Sequence, residues 1–81
     1  MDIYVGIIED RHTDVNVEVF TSSDVAIAWA RKLAQSFGPV DEPELNKSMV
    51  ADGWVYYGVY SCEGDSIRVV RRTLDNPDEI K

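Results

Sequence analysis

Phe20–Pro39, FTSSDVAIAWARKLAQSFGP, decides the fold of this 81-residue chain. Thr21 is the expected N-cap, with Asp24 three residues later in the capping-box position, near the positive end of the helix dipole. Phe20 and Val25 take the two places of a hydrophobic staple. Ala26, Ile27, Ala30, Leu33, Ala34 and Phe37 recur at helical spacing, while Arg31, Lys32 and Gln35 lie opposite. Gly38-Pro39 stops the run. The spacing predicts a helix over Ser22–Phe37, with its apolar stripe buried and Trp29 at the edge of that stripe.

Strand patterns flank this helix on both sides. Ile3, Val5 and Ile7 alternate with Tyr4, Gly6 and Ile8, so both faces of the first strand are apolar. The polar run from Glu9 to Asp14 reads as a hairpin connection. Val15, Val17 and Val19 then alternate with Asn16 and Glu18, the pattern of a strand with one wet face. Beyond the helix, Asp41 with Glu44, and Val40 with Leu45, repeat the cap and staple logic and predict a short helix ended by Ala51-Asp52-Gly53. Trp54–Cys62 is rich in valine and tyrosine and predicts a third strand. Its expected faces are Val55, Tyr57, Val59 and Ser61 against Trp54, Tyr56, Gly58, Tyr60 and Cys62. A turn at Gly64-Asp65 leads into a fourth strand, Ile67–Leu74.

The expected fold class is therefore α+β: a single small ββα(α)ββ domain over residues 1–75, followed by a flexible C-terminal tail over 76–81. Its sheet is four-stranded and mostly antiparallel, with the main helix on one face. Strands one and three are the more apolar, which predicts the order 2-1-3-4. The face away from the helix keeps valines and aromatics, more than a monomer usually shows to water.

Composition narrows the function classes. At 44 % hydrophobic and 28 % charged residues the chain is globular rather than disordered. One cysteine, Cys62, excludes an internal disulfide framework and fits a reducing, cytoplasmic setting. Met1-Asp2-Ile3-Tyr4 does not read as a signal peptide, and no uncharged run is long enough to cross a bilayer, so no membrane association is expected. Net charge is −7, from 15 acidic and 8 basic residues. That disfavours nucleic acid as a partner and favours another protein with a basic surface.

Candidate chemistry is sparse. His12 lies between Asp10 and Asp14, a grouping that suits a general base or half a metal site, but no second histidine exists. Cys62 is followed by Glu63 and Asp65, the wrong electrostatic setting for a nucleophilic thiolate. Trp54, Tyr56 and Tyr60 on one strand face form a candidate stacking platform, with Arg68, Arg71 and Arg72 on the next strand. Arg71 alternates away from the other two. Asp41, Glu42, Glu44 and Asp52, with Glu9, Asp10 and Asp14, are the acidic candidates for meeting a basic partner. No glycine-rich phosphate loop, catalytic triad or paired metal-ligand spacing occurs, so neither cofactor nor metal is expected.

These residues point to a small acidic non-enzymatic protein-interaction module, a homodimer through the free sheet face or an edge strand, with Trp54, Tyr56, Tyr60, Asp41, Glu42 and Glu44 as its binding residues. Two alternatives stand beside it: an inhibitor whose carboxylates imitate nucleic-acid charge, and a small enzyme or ligand-binding module using His12. The small acidic single-domain format resembles the accessory or regulatory proteins that phages and mobile elements encode, a likeness of format that assigns no residues.

Overall fold

The computed structural model describes residues 1–10, 15–60 and 65–73. The chain runs β1 (Asp2–Glu9), β2 (Asn16–Phe20), α1 (Ser23–Gln35), α2 (Lys47–Ala51), β3 (Trp54–Val59) and β4 (Ser66–Thr73). It is the expected α+β domain: a four-stranded antiparallel sheet with one main helix. His12, Asp14, Cys62, the turn at Gly64 and the tail over 76–81 lie outside the described residues.

The strand order is β2-β1-β4-β3, which corrects the expected 2-1-3-4. Counting charges along the last strand overstated its polarity. Ile67 and Val69 are fully buried and Val70 is 3 % exposed, so β4 belongs in the centre. Its arginines are managed locally. Arg68 pairs with Glu9 at 2.7 Å, and Arg71 and Arg72 sit exposed near the strand end. β3 takes an edge, and Asp41 closes part of it by exchanging two 2.8 Å backbone hydrogen bonds with Val59.

Both helices start later than expected. Phe20 is still paired with Tyr4, so the chain needs one more extended residue before it can turn. Ser22 supplies it and is the N-cap, its side chain accepting from the Val25 amide at 3.5 Å. That displaces the box from Thr21 and Asp24 and leaves Val25 exposed. Asp41, held extended on β3, does not cap α2 either. Asn46 does, accepting from the Met49 amide at 2.9 Å.

α1 packs against all four strands through Ala26, Ala30 and Ala34, each fully buried. These small side chains let the helix backbone come close to Ile8, Ile67 and Val69 in the core. Ile27 and Leu33 are half-buried, and Phe37 is 52 % exposed although it stacks on Tyr60 at 4.8 Å. Phe37 is therefore not the core residue its spacing implied; it lies past the end of α1. Trp29 occupies the gap over Gly6, where a Cβ would lie 2.2 Å from its Cζ3, and Phe20 tilts against it at 5.3 Å.

Gly6→Ala therefore forces Trp29 out of its seat. Such overpacking costs about 1–3 kcal/mol, to be read from urea denaturation. An unchanged midpoint would show that Trp29 is not held against β1.

Candidate functional site

Register across the sheet defines two faces. Under α1 lie Tyr4, Gly6, Ile8, Ile67, Val69, Tyr56 and Gly58. On the other face the pairing builds two rows across all four strands: Val19–Val5–Val70–Trp54 and Val17–Ile7–Arg68–Tyr57. α1 lies on the opposite side, and α2 packs beside β3, with the end of β4 reaching only its C-cap, Asp52. Val17 and Val19 are 53 % and 58 % exposed, and Val5, Ile7, Trp54 and Tyr57 are half-buried. Val70, flanked by Val5 and Trp54, is covered by these neighbours within the sheet. Among the described residues no helix lies above these two rows.

Trp54 stands here because of a register shift between Trp54 and Tyr56. A bulge adds one residue to β3 and reverses the alternation before it. The expected platform of Trp54, Tyr56 and Tyr60 is thus split, with Trp54 on the free face and the two tyrosines buried under the helix. Tyr57, which the spacing set apart from Trp54, is its actual neighbour at 5.3 Å between ring centroids. No residue pattern marks the bulge. The nearest signal is Gly53, at φ +91°, whose missing Cβ would lie 2.6 Å from the Arg71 carbonyl oxygen.

The free face is polar only in patches. The Arg68 guanidinium lies over the Trp54 ring at 5.4 Å and bonds Glu9. Arg72 donates to the backbone oxygens of Asp52 at 2.6 Å and Arg71 at 2.9 Å, tying the end of β4 to the end of α2. Arg71 lies opposite Tyr4, on the helix side. Arg68 and Arg72 therefore share the free face without Arg71, as their spacing implied.

The acidic candidates are differently engaged. Glu42 Oε2 accepts from Tyr56 Oη at 2.5 Å and from Arg31 Nε at 2.9 Å, and Arg31 also stacks on the Tyr56 ring at 5.6 Å. The hydrogen bonds from Arg31 and Tyr56 pull the Glu42 carboxyl below its ordinary range, and Glu42 in turn raises Arg31. Burial, then the bond to Glu42, pushes Tyr56 up to about 12. On the other side of the helix end, Tyr60 Oη donates to Asp10 at 2.7 Å, and burial with that bond raises Tyr60 as well. Asp41 serves through its backbone, while Glu44 and Asp52 are exposed. Of Asp41, Glu42 and Glu44, all exposed, Glu42 commits its carboxylate to Arg31 and Tyr56.

Among the described residues, no group of three or more His, Cys, Asp or Glu side chains is placed to hold a metal ion. A shallow open groove of about 260 Å³ beside α1 is lined by Trp29, Lys32, Leu33 and Ser36, with a single ammonium and no converging polar set. No helix among the described residues is long and apolar enough to cross a membrane. No protein-family model, curated protein or solved structure matches the chain.

Burial of Tyr56, together with its bond to Glu42, gives a pH signature with a definite sign. Folding raises the Tyr56 pKa from 10 to about 12, so the neutral phenol is the form the fold favours. Its stabilisation is whole below pH 10 and is lost as the pH climbs through 12. Tyr56→Phe should cost about 1 kcal/mol at neutral pH, discounted because Glu42 is partly exposed. It should also flatten the loss of stability above pH 10, measured by denaturant titration across that range. An equally steep alkaline loss in Tyr56→Phe would remove Tyr56 as its source.

Proposed function

We propose that this chain is a small non-enzymatic protein-interaction module that binds another protein through the free face of its sheet. One observation carries the reading: two rows spanning four strands, with Val5, Ile7, Val17, Val19, Trp54 and Tyr57 at least partly open to solvent. A soluble chain that sets this much valine and aromatic surface on one side gains by covering it. Burial returns roughly 25 cal/mol per Å² before the costs of association are subtracted.

The chemistry of the face describes its partner. Trp54 and Tyr57 are the aromatic anchors typical of binding centres, and Arg68 beside them is a ready donor. A protein surface with an apolar patch and a carboxylate or carbonyl opposite Arg68 fits. At longer range the net charge of −7 draws in a partner with basic surroundings, so the acidic periphery serves approach and the apolar rows serve contact. In this reading Trp54 keeps its binding role, Tyr57 joins it, and Tyr56 and Tyr60 hold the scaffold.

A photo-crosslinking residue placed at Tyr57, in the cell that makes the protein, should yield discrete adducts larger than two copies of the chain. The same probe at Gln35, on the outer side of α1, should yield few. Equal labelling from both positions, or none from Tyr57, would end the assignment of this face.

A further inference from the structure

The two edges of the sheet are unequal. β3 is partly closed by Asp41, while among the described residues no backbone group pairs with the outer side of β2. An open edge invites another strand, and proteins usually guard it with lysine, proline or a bulge. β2, NVEVF, has neither lysine nor proline and pairs with β1 in unbroken register. Val15, Val17 and Val19 stand along it, each more than half exposed. The one charge is Glu18.

We propose that two copies of this chain join through β2, antiparallel about a two-fold axis perpendicular to the sheet and centred on Val17. The strand is complementary to itself in that register. Val17 meets Val17 of the other copy, Val15 meets Val19, and Asn16 meets Glu18, so every paired residue from 15 to 19 has a compatible neighbour. Moving the centre to Glu18 sets two carboxylates directly opposite, which destabilises a strand pair. The symmetry keeps both α1 helices on one side of an eight-stranded sheet and both free faces on the other. Face-to-face stacking of two copies is the poorer arrangement. It would enclose Arg68 and Glu9 of both copies between sheets about 10 Å apart, and desolvating such pairs is costly.

Val17 and Val19 also belong to the free face, but the edge joins through backbone pairing of β2 while the face centres on Trp54 and Tyr57, so the two are tested separately. A ladder this short buries less than the roughly 1,200 Å² of a standard interface, which puts the dissociation constant in the micromolar range or weaker. The repulsion between two acidic chains makes it tighten as salt is added.

The test is oxidative crosslinking combined with sedimentation equilibrium, in a Cys62→Ser background. In the proposed register Val17→Cys brings two Cα atoms to about 4.5–5.5 Å, inside the range of a disulfide. Val19→Cys, on the same face and equally exposed, lies about 13 Å from its own copy at 3.3 Å per residue. We expect a disulfide dimer from Val17→Cys alone, and a reversible dimer of the parent that strengthens in high salt. Asn16→Glu, which opposes two carboxylates on each side of the axis, should weaken that dimer roughly tenfold. A parent that stays monomeric at several hundred micromolar overturns the proposal. So does crosslinking through Val19→Cys, or through Tyr57→Cys in place of Val17→Cys, since these report another register or face-to-face stacking.

Discussion

The alanine stripe of α1 against the sheet is the contact on which the rest of this structure depends. Ala26, Ala30 and Ala34 present almost no side chain, so the helix lies close enough to bury Ile8, Ile67 and Val69 completely or nearly so. Gly6 continues the same economy on the sheet side by leaving room for Trp29. A helix of 13 residues is about 20 Å long at 1.5 Å per residue. That length crosses four strands once and covers one face. Among the described residues no second helix covers the other face, which leaves its valines and aromatics partly open to solvent.

Close packing of a small helix leaves the tyrosines to complete the core. Tyr56 and Tyr60 bury their rings beside α1 and extend their hydroxyls to carboxylates outside it, Glu42 and Asp10. Each ring thus supplies apolar area, and each hydroxyl keeps a partner where burial would otherwise be costly. Glu42 is the more consequential anchor. With Arg31 it clamps the connection after α1 onto the helix, and the adjacent Asp41 then reaches the edge of β3. One short stretch ties the helix down and closes part of an edge.

Two inequalities follow among the described residues: a covered and a free face, and a partly closed edge at β3 against an unpaired one at β2. In the reading proposed above, the free face, with Trp54, Tyr57 and Arg68, meets a different protein, and the valine edge meets a second copy of the chain. Glu9, Asp10 and Glu42 are engaged in internal bonds, so the net charge overstates how much free carboxylate these positions present.

Fold class and helix were legible because both are written in local periodicity. The alternation over Ile3–Ile8 and the stripe from Ala26 to Ala34 specify which side chains share a face without reference to any distant residue. The surplus of apolar faces over available helix was legible for the same reason. Strand order was not, because β1 chooses between partners far along the chain, and Val5 against Val70 is decided by how completely β4 can be buried. The cap positions depended on where β2 lets go of β1 and on Asp41 being drawn to β3. Trp54 changed faces through a bulge that no residue type announces. Periodicity is a property of neighbours in sequence, whereas the pairing of strands and the placement of a bulge minimise the energy of the whole sheet, and only the folded chain contains that sum.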